Sequence, residues 1–351
     1  MAKKARRAGA SARRLRIGRM SDENLLKVRL RHLPTRLKGT PLPRRIRILF
    51  RELQARNIDW RPHIWISEEF FTPDGVPGFA IPFYLTHPRL MRLERKQMLA
   101  LEGGTEEECM KIFRHETGHA LDNAYGLHLR KDWREIFGPF SRAYPKSYKP
   151  NPTSRHHVLH LDGWYAQAHP AEDWAETFAV WLKPGGRWRS RYKGWPALKK
   201  LEYVDWLIKK IADNPPKNRT RTRDEPIAKI PTTLQQHYNR KRKLYSLEYP
   251  AFYDRDLRRI FSSEKKYKSR PSAVKFLRRY RTDFRQIVAE GTGVYSYTID
   301  HVLRNIIDRA RELKLHVAFS EKVTRQQTMI MLTVHTMNIV HSGRYRFHYG
   351  L

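Results

Sequence analysis

The stretch that most constrains this chain runs from Thr105 to Gly126, TEEECMKIFRHETGHALDNAYG. Its pattern predicts a single helix. Thr105 and Glu108 make a capping box, acidic residues fill the first turn beside the positive end of the helix dipole, and Gly126 supplies a stop. Residues four apart share a helix face, so His115 and His119 can chelate one ion. Glu116 is turned by about 100° from His115, which aims it at water beside the ion instead of at the ion itself. Without a third ligand, the same letters also describe a surface helix carrying two solvated histidines.

Composition narrows the setting. The 351 residues allow one large or two ordinary domains, and 40% hydrophobic content supports a packed core. Lys and Arg number 70 against 35 Asp and Glu, a formal charge of +35, which predicts attraction to nucleic acid or another polyanion. The single cysteine, Cys109, excludes an intramolecular disulfide and a cysteine-rich zinc knuckle, and fits a reducing compartment. The basic N-terminus has no apolar run after it, and no segment reaches the roughly 20 apolar residues of a membrane span. The expectation is a cytoplasmic protein.

Along the chain, residues 1–20 hold no acidic residue before Asp22 and predict a disordered basic arm. Ile46, Ile48, Leu49, Phe50 and Leu53 predict a helix, His63–Ser67 a strand, and Phe79–Leu85 an extended segment whose Pro82 marks an edge strand. Such an edge beside the His115 helix would accept an extended peptide as an added strand. Arg89–Leu101 predicts another helix. His156, His157 and His160 lie in a polar loop and are expected to be solvated. In HPAEDWAETFAVWLKPGG, Pro170 opens and Pro184-Gly185-Gly186 closes a helix. Glu172 and Glu176 share one face of it, opposite Trp174, Phe178 and Trp181; two carboxylates on so apolar a helix are costly to bury unless paired or bound to metal. A helix from Pro196 to Ile211 follows, then a proline-rich linker over 213–232. Residues 233–351 make a basic, mainly helical unit, with helices over Ser272–Glu290 and Thr298–Leu313, a short strand at Leu315–Phe319, and an ambiguous apolar run from Met329 to Val340. Arg278, Arg279, Arg281 and Arg285, with Tyr280 and Phe284, are candidates for polyanion contact.

Residues of about 44–207 resemble a bacterial family of zinc-binding metallopeptidases through RPHIWISEEFF, PDGVPGFAIPFYLTHPRLMRLER, EGGT, RHETGHALDNAYGL, WYAQAHPAEDWAETFAVWL and GWPALKKLEYVD. A more distant similarity is to the catalytic domain of anthrax lethal factor, a zincin with a glutamate ligand. That similarity implies Glu172 as third ligand to one zinc ion, Glu176 beside it, and Tyr165 as a catalytic tyrosine; Asp173-Trp174 departs from the pattern. The other zincin pattern, with Gly and a third His downstream, is absent, since Asp122 and Tyr125 stand there.

The implied fold is α+β: a zincin-like metallopeptidase domain over 21–212 with a mostly helical framework and a small sheet, the linker, and the basic C-terminal unit. The implied function is zinc-dependent hydrolysis of peptide or protein substrates, with His115, His119 and Glu172 on the metal and Glu116 as general base. Tyr165 would donate to the oxyanion, and Glu176 and Asp122 would orient the ligand histidines. The competing reading is a nucleic-acid-binding protein whose zinc site is structural or vestigial.

Overall fold

The computed structural model describes residues 17–145, 148–245 and 253–342. The chain builds two hydrophobic cores, one ending with Leu234 and Tyr238 plus Tyr297, the other starting at Tyr253. Ahead of the first core's main elements, Ile17, within the expected basic arm, is already buried in that core; residues 1–16 of the arm lie outside the described residues.

The first core is built from α1 (Leu42–Gln54), β1 (His63–Ser67), β2 (Gly78–Pro82), α2 (Pro88–Met98), α3 (Glu106–Tyr125), α4 (Lys131–Phe137), α5 (Pro170–Leu182), α6 (Ala197–Ile211) and α7 (Leu234–Tyr245). It is an α+β arrangement dominated by helices. The caps of α3 are those expected: Thr105 Oγ1 accepts the Glu108 N–H at 3.2 Å, and Gly126 ends the helix at φ 62°. Every residue of α5 is buried, which makes it the central helix of the unit.

Helices α3 and α5 pack most closely where Gly118 meets Ala175. A Cβ added to Gly118 would lie 2.9 Å from the Ala175 Cα, so only glycine permits this approach. The Trp174 indole N–H donates to the Gly118 carbonyl at 2.8 Å and fixes the crossing. Bringing the two backbones together sets one face of α3 directly against the carboxylates of α5. A buried two-pronged ion pair, Arg114 to Glu52 at 2.7 and 2.8 Å, ties α3 to α1 from the other side.

Strands β1 and β2 pair in parallel, His63 opposite Gly78 through Ser67 opposite Pro82. As Pro82 predicts, β2 is an edge strand, paired with β1 alone among the described strands, but its outer side is engaged by one bridge. Its five residues are all buried, and the Ala80 N–H donates to the Phe71 carbonyl at 2.8 Å, so the preceding segment already caps that edge. Pro82 ends the strand and a 3₁₀ turn follows.

The proline-rich segment after α6 is a strap laid along β1. His63 Nε2 lies 2.7 Å from the Thr222 carbonyl, the Trp65 indole donates to Asp224 O at 2.9 Å, and Ser67 Oγ donates to Glu225 O at 2.6 Å. Alternation along a strand puts these three side chains on one face, so they meet the carbonyls of Thr222, Asp224 and Glu225 in order along the strap. Past it, Leu30 N–H donates to Thr232 O and Leu234 N–H to Val28 O, both at 2.9 Å. Helix α7 thus belongs by packing to the first core, although it follows position 233.

The second core holds α8 (Asp254–Ile260), β3 (Phe261–Ser262), α9 (Ala273–Arg279), α10 (Arg281–Thr292), α11 (Ser296–Glu312), β4 (His316–Val317) and α12 (Glu321–His341), with β3 and β4 antiparallel. The helix expected over 272–290 is broken at Tyr280, and the ambiguous run 329–340 is helical within α12. The break serves packing. Arg281 and Arg285 reach Asp300 on α11, at 2.8 and 3.2 Å. Tyr280 and Arg279 engage Glu321, and Phe284 is fully buried. Of the candidate polyanion residues, Arg281, Arg285 and both rings are therefore committed internally, Arg279 makes a surface contact with Glu321, and Arg278 has no ion pair among the described residues. No helix among the described residues is long and apolar enough to cross a membrane.

Candidate metal centre

Helix α3 carries His115, Glu116 and His119 to the crossing with α5, where Glu172 and Glu176 face them. His115 Nε2 lies 3.1 Å from His119 Nε2 and 3.1 Å from Glu172 Oε2, and His119 Nε2 lies 3.2 Å from the same oxygen. The three donor atoms form a nearly equilateral triangle. Tetrahedral zinc with bonds of about 2.0 Å separates its ligand atoms by about 3.3 Å, so the triangle has the size and the nitrogen–oxygen donor set that zinc requires. Among the described residues these three form the group able to hold a metal ion.

Glu176 sits behind the triangle. Its Oε1 accepts from His115 Nδ1 at 2.8 Å and its Oε2 from the Leu161 N–H at 2.8 Å. The first bond fixes the His115 tautomer, with the proton on Nδ1 and the lone pair of Nε2 aimed at the triangle. Burial disfavours charge on His115, but hydrogen bonds to Glu172 and Glu176 overcome it and push its pKa up to about 10. Against the same penalty of burial, the charge of His119 and the bonds from both histidines hold the Glu172 carboxyl well below the usual carboxylate range. Both shifts register a demand for positive charge at the triangle.

Glu116 points into the adjoining cleft, which is lined by Thr72, Asp74, Glu116, His119, Asp122, Asn123, Phe140, Tyr144, Ala171 and Glu172. The Thr72 hydroxyl donates to Glu116 Oε2 at 2.7 Å and fixes its rotamer. Burial raises the Glu116 pKa, with His115, His119 and Thr72 pulling the other way.

Tyr165 lies behind His115, ring centroids 5.7 Å apart, on a turn bent by left-handed Gly163 (φ 74°) and Trp164 (φ 56°). Burial lifts its pKa well above that of free tyrosine, so it stays a hydrogen-bond donor. Asp122, three residues beyond His119 and lining the same cleft, has its hydrogen bonds to His128. Its two oxygens take the His128 N–H at 2.7 Å and His128 Nδ1 at 3.0 Å. His156 is exposed, His157 lies 3.8 Å from Asp173, and His160 Nε2 donates to the Lys111 carbonyl at 3.0 Å. Burial pushes His160 down to about 4, so it is a neutral packing group.

Sequence reasoning passed over Thr72, Tyr144, His128 and His169. Only His169 leaves a local trace: in His169-Pro170, as in His87-Pro88, the imidazole Nδ1 caps the helix by accepting an N–H, from Ala171 at 3.1 Å and from Arg89 at 3.0 Å. Thr72 and Tyr144 approach the site from loops distant in sequence, and nothing local marks them.

No curated protein and no solved structure gives a significant match to the chain, and the similarity to anthrax lethal factor gains no support there. Residues 108–185, running from the first turn of α3 through the end of α5, match the model of the family described as "Putative zinc-binding metallo-peptidase".

Proposed function

We propose that this chain is a zinc-dependent peptide hydrolase. The observation that carries the reading is the triangle of His115, His119 and Glu172 with Glu116 pinned beside it in an open cleft. Three protein ligands, not four, are the donor set of a catalytic zinc site; structural sites are closed by a fourth. When bound, zinc supplies Lewis acidity, bringing the pKa of water at its open position to about 7 and polarising a carbonyl. The remaining steps fall to side chains. Glu116, held by Thr72 and raised in pKa by burial, accepts the proton of the attacking water and delivers it to the leaving amine. Tyr165, kept protonated by burial, is the candidate donor to the developing oxyanion. Glu176 orients His115.

The experiment is zinc content together with cleavage of a peptide library, wild type against Glu116→Gln. Expected is equal zinc in both and a loss of about 10²–10⁴-fold in turnover for the variant. Full turnover by Glu116→Gln sinks the assignment. The other reading, a nucleic-acid-binding protein with a structural zinc, draws on the charge of +35. It predicts salt-dependent binding to DNA or RNA with no inhibition by a hydroxamate of any hydrolytic activity. The two coexist if the basic surface localises the hydrolase.

A further inference from the structure

The two oxygens of Glu172 have different neighbours. Oε2 closes the triangle with the two imidazoles at 3.1 and 3.2 Å, whereas Oε1 accepts a hydrogen bond from the Tyr144 hydroxyl at 3.0 Å. Tyr144 is 50% exposed as a residue, yet its tip reaches a carboxylate whose side chain is only 4% exposed. Nothing in the mechanism above uses this contact.

The contact is held from both sides. The Tyr144 ring stacks on His169, with centroids 3.8 Å apart and planes at 19°. His169 Nδ1 accepts the Ala171 N–H, which puts its proton on Nε2; that N–H donates to the Arg142 carbonyl at 2.6 Å. One imidazole at the start of α5 therefore grips both the ring and the backbone of the segment. Upstream, Phe140 stacks on His128 at 4.2 Å, and His128 is bonded to Asp122 of α3. Residues 140–144 are thus anchored to each of the two helices that supply the triangle.

We propose that Tyr144 is a positioning residue that holds Oε1 so that Glu172 offers a single oxygen to the metal; the proposal rests on the zinc reading above. A carboxylate free at both oxygens can ligate through both, and the second would occupy the position that a catalytic site keeps open for water and substrate. A hydroxyl donating to a carboxylate makes a charge-assisted bond, here at 3.0 Å. Loss of such an outer partner typically costs 10–100-fold in metal affinity, by the general behaviour of groups that brace metal ligands.

The test is Tyr144→Phe, which keeps the ring and its stack and removes only the hydroxyl. Zinc affinity is measured by competition with a chromophoric chelator, and coordination number by the visible absorption of the cobalt(II)-substituted protein. Expected are a fall in zinc affinity of about 10–100-fold and weaker cobalt bands as Oε1 joins the metal and coordination rises from four to five. Tyr148→Phe is the control. Its hydroxyl donates to the Gly163 carbonyl at 2.8 Å from the same loop, and its loss is expected to change neither readout. Either readout at its wild-type value in Tyr144→Phe overturns the proposal, as does an equal loss in Tyr148→Phe, which would make the effect one of loop integrity. Failure of the wild type to bind zinc or cobalt overturns the metal reading itself and this proposal with it, whereas tight binding with an unresponsive Tyr144→Phe overturns this proposal alone.

Discussion

Two clusters of buried carboxylates sit in the first core, and the chain treats them differently. Around α7, Lys241 Nζ lies 2.8 Å from Glu69 and 2.9 Å from Glu94, while His237 Nδ1 and Arg240 meet Glu68 at 2.9 and 2.6 Å. Here the sequence supplies its own cations, and the cluster clamps α7 onto α2 and onto the Glu68-Glu69 segment that follows β1. At the crossing of α3 and α5, no Lys or Arg among the described residues pairs with Glu116, Glu172 or Glu176. In a chain with 70 Lys and Arg, that is a place from which fixed cations are left out. The carboxylates there meet neutral donors, the hydroxyls of Thr72 and Tyr144 and the Leu161 N–H, and imidazoles, whose charge depends on a proton and whose lone pairs suit a metal. One cluster is complete as a piece of architecture. The other leaves three donor atoms converging on a place that could hold a cation from solution, which is why it reads as a site.

Breaking the first cluster is expected to have the largest effect on the fold. Lys241→Met removes the shared cation and leaves Glu69 and Glu94 facing each other below the surface. Removing one partner of a buried pair costs about 3–5 kcal/mol, measured by denaturant unfolding. Zinc content should stay at the wild-type level, because the two clusters share no residue. A variant of wild-type stability, or one that folds but has lost zinc, would erase the distinction between clamp and site.

Glu176→Gln breaks the second cluster where it braces His115. Glu176 accepts from both His115 Nδ1 and the Leu161 N–H, and a carboxamide has only one accepting end. The other end sets a donor against a donor. Zinc affinity should fall about 10–100-fold by chelator competition, without the broad loss of stability expected for Lys241→Met.

The same contrast explains what was legible in the sequence. The fold of the site helices was open to reading because their signals are local: the cap at Thr105, the stop at Gly126, and the four-residue spacings of His115 with His119 and of Glu172 with Glu176. The joining of those helices through Gly118 and Ala175 is a contact between distant segments; the glycine inside HETGH carries it but does not announce its partner. Thr72 and Tyr144 were hidden for the same reason. In the C-terminal unit, Arg281 and Arg285 looked free because their partner Asp300 lies on the next helix, and composition cannot separate a paired arginine from a solvated one. Pro82 did mark β2 as an edge strand, whereas the bridge from Phe71 to Ala80 was hidden because Phe71 carries no strand pattern.

The smallest expected effect falls on Thr72, where the clamp-like and site-like roles can be separated within one contact. Thr72→Val keeps shape and removes the hydroxyl that donates to Glu116 Oε2 at 2.7 Å. A hydrogen bond to a charged group is worth about 1.5–3 kcal/mol, but Thr72 is only half-buried and water can replace part of it. The expected loss of turnover is therefore at the low end of that range, about tenfold. Stability and zinc affinity should be unchanged, since the hydroxyl of Thr72 bonds to Glu116 and not to the triangle. If turnover is untouched while stability falls, Thr72 is a brace for the loop and Glu116 holds its rotamer by packing alone. If zinc affinity falls instead, Glu116 is bearing on the metal directly, and its role as the base beside a three-ligand site would have to be given up.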